Sequence, residues 1–335
     1  MGLRIDSALI RLRMPRQSIL IVILGLLAAS THNDARAASY ALPKPEDSVI
    51  GEIQYMTSRY EDTFMEIGRK YGVGYEEIAA ANPGIDPWLP GEGTRITIPT
   101  RFVLPVAARK GIVVNLPEHR IYYFPSPKKG ENGIVQTYPI SIGKMDWKTP
   151  LGTTHVVSKQ IKPIWFPPES VRKEHEENGD PLPKAVPPGK DNPLGDFAMR
   201  LGIPGGSYLI HGTNNPDGIG MDVTHGCMRM FPEDIEVFFK AVPVQTPVLI
   251  VDQPFKMGWS GEQLFMEVHK PVLDADADNS ANLTNLTRIL VAATAQHSAT
   301  IDWNDAERLF QISTGLPTPV KMKTMPDQAA ASKSD

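Results

Sequence analysis

One cysteine, Cys227, stands among 335 residues, so no internal disulfide can staple this chain. Its fold must rest on ordinary apolar cores, which a chain of this length can build. Apolar residues make up 41% of it and charged ones 21%, the balance of globular domains rather than of a disordered chain. A formal net charge of -4 excludes the basic footprint of a nucleic-acid binder. The 31 prolines and modest aromatic content predict β-rich units with long loops in preference to a helical bundle.

The first 37 residues read as a secretory signal. Arg4, Arg11, Arg13 and Arg16 form a basic region, Ile19 to Ala29 a short apolar core, and Ala35-Arg36-Ala37 an A-x-A cleavage site. The apolar run is short for a membrane span, and an uncleaved anchor is the competing reading. No cysteine near the cleavage region offers a site for lipid modification. Export leads to an oxidising space, where a retained unpaired cysteine is expected to have a use.

Residues 38–50, with Pro43, Pro45 and charges, read as an exposed linker. From 51 to 100 the pattern is strand, helix, helix, strand. Gln54 to Met56 extend, Phe64, Ile67, Gly68 and Tyr71 recur at helical spacing up to Gly72, and Tyr75 to Ala81 form a second helix. Asn82-Pro83-Gly84 turns the chain toward the alternating strand Arg95 to Ile98. Asp62-Thr63-Phe64, Lys70-Tyr71-Gly72-Val73, Ala81-Asn82-Pro83 and Pro90-Gly91 before Ile96-Thr97-Ile98-Pro99 together resemble a LysM domain. That resemblance implies binding to glycan strands such as those of peptidoglycan, with Asn82 and Pro83 setting a turn. A generic α/β spacer is the competing reading.

Residues 108–252 read as a mainly β domain. Gly111 to Leu116 and His119 to Phe124 form a hairpin, Val135 to Ile142 and Thr153 to Ser158 continue it, and Pro247 to Val251 close it. Tyr208-Leu209-Ile210 is a short buried strand running into His211. Pro232-Glu233-Asp234-Ile235 starts a single short helix after the cysteine, with proline first and carboxylates at the positive end of the dipole. Residues 161–206 are a proline-rich excursion holding Trp165-Phe166-Pro167-Pro168 and a charged helical piece at Glu169 to Glu177; its length and aromatics favour a binding lid over a disordered insert. Residues 253–335 form an extension with a strand at Leu264 to Val268, helices near Leu283 to Ala293 and Asn304 to Ser313, and a frayed polar tail.

The chemistry concentrates at His211-Gly212-Thr213 and Thr224-His225-Gly226-Cys227-Met228-Arg229. A thiol attacks as thiolate, and a neighbouring imidazole is the usual means of forming it. Gly226 permits a tight turn, and the amides of Gly226 and Cys227 suit an oxyanion. Arg229 suits a substrate carboxylate or a structural salt bridge. Two bland readings compete: a buried apolar cysteine, or zinc on His211, His225 and Cys227 with Asp217 or Asp222 completing the set. No paired CxxC or HExxH supports the metal.

These two motifs, sixteen residues apart from His211 to Cys227, resemble the L,D-transpeptidase signature, HGT followed by S/T-H-G-C-x-R-M/L. Pro150-Leu151-Gly152-Thr153, Pro163 to Pro168 and Asn192-Pro193-Leu194-Gly195 match further, and the likeness is to the periplasmic branch. The resemblance implies a β-sandwich or open barrel, no cofactor or metal, and a periplasmic or cell-wall location. It implies Cys227 as nucleophile and His211 as base, oriented by the Gly212 carbonyl. His225 and Gly226 then shape the oxyanion site, while Arg229 and Trp165 bind substrate. The implied partners are peptidoglycan stem peptides, glycan strands and an outer-membrane lipoprotein. The family attacks the bond between the L-centre of diaminopimelate and D-alanine in tetrapeptide stems. Water as acceptor, giving a carboxypeptidase or a hydrolase, and a non-catalytic wall-binding protein are the alternatives. A thiol peptidase family that places its cysteine before its histidine fits less well, because His211 comes first. His119 is expected on an exposed strand, where its replacement by alanine is far less damaging than that of His211.

Overall fold

The computed structural model describes residues 38–144, 149–205, 207–271, 283–295, 297 and 300–323. The expected signal peptide and the polar tail from 324 onward lie outside them. No helix among the described residues is long and apolar enough to cross a membrane.

The chain starts with β1 (Ala38–Ala41), β2 (Val49–Gly51), β3 (Gln54–Thr57), α1 (Phe64–Tyr71), α2 (Tyr75–Ala81), β4 (Arg95–Ile98) and β5 (Arg101–Val103). β3 pairs antiparallel with β4, and Phe64, Ile67, Val73, Ile78, Ile96 and Ile98 form the core of this βααβ module. Local chemistry sets its limits. Thr63 and Glu66 make a capping box at the start of α1, and Gly72, at φ 66°, ends it in the left-handed conformation that glycine tolerates. The Asn82 amide donates to Ile78 O and Thr97 O, 2.8 Å each, and accepts from Thr97 N–H at 2.7 Å, stitching the end of α2 to β4.

Next come β6 (Gly111–Asn115), β7 (Arg120–Phe124), β8 (Ile134–Pro139), β9 (Ile142–Gly143), β10 (Gly152–Ile161), α3 (Glu169–Glu177), β11 (Phe197–Leu201), β12 (Leu209–His211), β13 (Asp222–Thr224), β14 (Met228–Arg229), α4 (Pro232–Ala241) and β15 (Pro247–Val251). They build one nine-stranded sheet in the order β1-β8-β7-β6-β15-β10-β11-β12-β14. The sheet curls back on itself: Ser141, just past β8, exchanges backbone hydrogen bonds of 3.0 and 3.1 Å with Arg229 of β14. Ile112, Val114, Ile121, Tyr123, Ile210 and Met228 point into the curl, where Ile235 and Phe238 of α4 fill it. Val113, Tyr122 and Phe124 pack on the opposite side against Ile50 and Phe102. Both faces of β6 and β7 are covered, which is why those strands read as unbroken apolar runs.

Two expectations are corrected here. Residues 38–50 are not an exposed linker: β1 adds antiparallel to β8, and β2 pairs with β5. Backbone hydrogen bonds and the seating of Tyr40 edge-on against Phe102, 6.2 Å between centroids, outweigh the polar composition. His119 is not on an exposed strand. A 3-10 turn, Leu116–Glu118, joins β6 to β7 and leaves His119 buried in a left-handed conformation (φ 52°), its Nε2 2.8 Å from Asp222 Oδ1.

The last unit holds β16 (Phe255–Ser260), β17 (Gln263–Val268), α5 (Leu283–Thr294), β18 (Thr300–Ile301), α6 (Trp303–Ile312), β19 (Thr318–Pro319) and β20 (Met322–Lys323). β16, β17 and β19 form a sheet whose core includes Leu264, Met266, Leu286, Leu290 and Leu309. A buried ammonium joins this unit to the central sheet. Lys256 Nζ lies 2.7 Å from Glu118 Oε1, Glu267 Oε1 and Val103 O alike, and the Tyr122 hydroxyl donates to Glu118.

Candidate active site

β12 and β14 lie side by side and parallel, with Ile210 opposite Met228 and His211 opposite Arg229. Alternate residues of a strand share a face. Ile210, Met228 and Met230 therefore enter the core, while His211, Arg229 and Cys227 (the residue before β14) share the other face. The short parallel pair brings both sequence motifs to one place.

His211 is buried, and its Nδ1 lies 2.7 Å from the Gly212 carbonyl. Nδ1 is thus the protonated nitrogen and Nε2 the basic one. Burial, reinforced by the charge of Arg229, lowers the imidazole to about 3, so it is neutral near pH 7. Burial also pushes the Cys227 thiol up, although a Leu209 backbone contact and Arg229 pull the other way. Desolvation thus works against charging either group, while Arg229 favours the thiolate and disfavours the imidazolium. Cys227 Sγ is 3.5 Å from Ser207 O.

Gly226 takes φ 91°, which admits glycine and little else. Thr149 Oγ1 donates to Gly226 O at 3.0 Å and Thr224 Oγ1 to Cys227 O at 2.6 Å, so both carbonyls beside the sulfur are tied down. Arg229 Nε is buried with no hydrogen-bond partner among the described residues. Burial lowers the Arg229 pKa, as befits a guanidinium short of compensation. Of its two readings, the structural salt bridge finds no counterpart among the described residues.

The insert folds onto this site. Buried Asn192 donates to Pro163 O at 2.8 Å and accepts from Leu194 N–H at 2.9 Å. Gly195 presses against Gly212 and Thr213 so closely that a Cβ there would sit 2.8 Å from Thr213 N. Glu174 of α3 reaches the loop that precedes Cys227, Oε2 lying 2.8 Å from His225 Nε2 and Oε1 3.0 Å from Lys144 Nζ. Trp165 is half-buried within the insert, its backbone paired with Val186. The zinc alternative asks His211, His225 and Asp222 to turn toward the sulfur, yet their ring or carboxylate atoms engage Gly212, Glu174 and His119. Sequence reasoning missed Thr149, Glu174 and the His119–Asp222 pair. Thr149 adjoins the matched Pro150-Leu151-Gly152-Thr153, a usable signal. Glu174 sits in a helix rich in charges, where nothing singles it out.

A thiol, an oriented imidazole and a guanidinium whose Nε has no partner among the described residues share one face of a curled, mainly β scaffold. The YkuD sequence family, described as the L,D-transpeptidase catalytic domain, matches residues 109–250. Relatives in Escherichia coli K12 include Probable L,D-transpeptidase YcfS, 36% identical over 292 residues, covering 86% of this chain and 89% of the relative. Probable L,D-transpeptidase ErfK/SrfK is 35% identical and covers 92% of this chain and 97% of its own length. Probable L,D-transpeptidase YbiS is 38% identical over 247 residues, covering 72% and 78%. The chain belongs to the L,D-transpeptidase family, and it is an enzyme of that class.

Proposed function

We propose that this L,D-transpeptidase acts on tetrapeptide stems of peptidoglycan through Cys227, with His211 as general base and then acid. The observation that supports it most directly is the β12–β14 register, which sets thiol, imidazole and guanidinium on one face. The neutral imidazole takes the thiol proton as sulfur attacks the carbonyl of the L-centre of diaminopimelate. Amides around His225 and Gly226 receive the oxyanion. The C–N bond to D-alanine breaks, His211 returns the proton to the leaving nitrogen, and a thioester remains. An acceptor amine then attacks the thioester, its proton passing through His211 to the departing sulfur. That amine belongs to a second stem or to a lysine of an outer-membrane lipoprotein. Arg229, with its buried unpartnered Nε, suits a stem carboxylate. Trp165 in the insert contributes to holding the stem.

The βααβ module is read as a LysM domain that binds the glycan strand. The Phe64 N–H donates to Pro87 O, which joins its two outer loops, and these display exposed Tyr60, Trp88 and Leu89 on which sugar rings can stack. A secretory signal over 1–37 would carry the protein to the periplasm.

Intact mass after mixing with a soluble tetrapeptide tests the reading. The expected result is release of D-alanine and an acyl adduct mapping to the peptide that holds Cys227, with neither in Cys227→Ala. Turnover in Cys227→Ala would overturn it. Products with added amine, compared with water alone, separate transfer from hydrolysis.

A further inference from the structure

Three consecutive residues at the β6–β7 turn reach three different parts of the chain. Glu118 meets Lys256 of the last unit. His119 meets Asp222, the first residue of β13. Arg120 meets Glu77 of α2, its Nε and Nη2 each 2.6 Å from a carboxylate oxygen, and its Nη2 also donates to Gly72 O at 3.1 Å. The segment beginning at Asp222 continues into His225, Gly226 and Cys227.

The preceding stretch of that same loop rests on the module. Tyr75 N–H donates to Ile219 O at 3.1 Å, and Glu76 N–H to Gly220 O at 3.3 Å. The first amides of α2, which a helix leaves without internal partners, are thus satisfied by the loop between the two catalytic motifs. Gly74 and Gly220 touch backbone to backbone: a Cβ on Gly74 would lie 2.8 Å from Gly220 Cα, and one on Gly220 2.4 Å from Tyr75 N. Glu77 serves both contacts, accepting from Gly74 N–H at 2.5 Å while it grips Arg120. Loop 216–224 is therefore held between the module and the β6–β7 turn.

We propose that His119 and Glu77 are positioning residues for Cys227: His119 through Asp222, and Glu77 through Arg120 and the Gly74–Gly220 contact, so that the module is part of the scaffold of the catalytic loop as well as a reader of glycan. The identity of the reaction rests on the proposed function, but the coupling to the sulfur does not. A module acting only as a tether would leave chemistry on a sugar-free donor untouched.

Cys227 is the only cysteine in the sequence, so iodoacetamide alkylation of the full chain reports on it alone. The variants are His119→Asn, Asp222→Ala, their double and Glu77→Gln. Asparagine tolerates the left-handed backbone at 119 but is too short to reach Asp222. Burial pushes the Cys227 thiol up, so a loosened loop that admits more water should favour the thiolate and accelerate alkylation near neutral pH at least about threefold. With a sugar-free tetrapeptide, kcat should fall about tenfold while KM stays within roughly a factor of two. The double variant should match the worse single one, because the pair acts as a unit. Leu290→Ala, in the core of the last unit, supplies the stability control: it should lower the unfolding midpoint without changing alkylation.

Wild-type alkylation and kcat in both His119→Asn and Asp222→Ala would overturn the proposal, whether or not Glu77→Gln folds. An accelerated thiol in these variants, in a protein that transfers no stem peptide even as wild type, would uphold the positioning role and remove the proposed reaction instead.

Discussion

The face that carries Cys227 and the turn that carries Glu118 to Arg120 treat buried charge in opposite ways. At the turn each charge meets its counterpart: Arg120 grips Glu77 by both arms of its fork, and Lys256 sits between Glu118 and Glu267. At the thiol face, Arg229 keeps a buried nitrogen without a partner among the described residues, and the imidazole is held neutral. Saturated pairs fix one geometry and are costly to break. Unsaturated groups raise the energy of the resting protein and leave their best interactions for a substrate or a transition state. The same polypeptide thus gathers saturated charges at one place and unsaturated ones at another.

Breaking the saturated side should give the largest effect. Lys256→Met leaves two carboxylates buried side by side, and urea unfolding should register a loss of about 3–5 kcal/mol. A loss within error of zero would show that the turn is no better compensated than the thiol face. Acid should separate the regions next. His211 is lowered to about 3 from an unfolded value of 6.5, so its contribution is present above 6.5 and lost as pH falls from there toward 3. Wild type should therefore lose about 2 kcal/mol near pH 5 relative to His211→Gln. Burial alone would raise the Glu118 carboxyl, yet Lys256 and His269 hold it down to about 2. Its contribution is present above 4.5 and disappears only as pH falls through 2, so the turn should outlast the thiol face.

Arg229→Met carries the contrast in the opposite direction. Removing a half-buried charge whose Nε has no partner among the described residues should stabilise the resting protein by about 1 kcal/mol while turnover collapses, a trade expected where strain serves function. Destabilisation on thermal melting would mean that Arg229 is already compensated. The smallest effect belongs to Glu174→Gln. This exposed contact from α3 to His225 and Lys144 should leave the melting midpoint unchanged and raise KM for the stem, since it holds the insert over the loop. An unchanged KM would detach α3 from substrate binding.

What the sequence disclosed was mostly local. The stop at Gly72 and the turn at Asn82 each depend on a few neighbouring residues, and both are found where the pattern puts them. The strand leading into His211 and the helix opened by Pro232 are equally local. Long-range pairing was hidden. β1 is a short Ala-Ser-Tyr-Ala segment ahead of Pro43 and Pro45, and its place at the edge of the sheet comes from backbone hydrogen bonds that any side chains permit. His119 looked like an outward strand residue because a 3-10 turn, invisible to a period of two, shifts its register. Asp222 and Glu174 acquire meaning only once the residues they touch, 103 and 51 positions away, are in place.

The meeting of Gly74 with Gly220 bears on how such an enzyme can be re-engineered. Modules of this size invite exchange, as if they were beads on a string. Here a foreign graft would need a hydrogen-atom side chain where its second helix begins, and the recipient loop would need another. A chimera lacking either would be prised open at the segment that leads into Cys227.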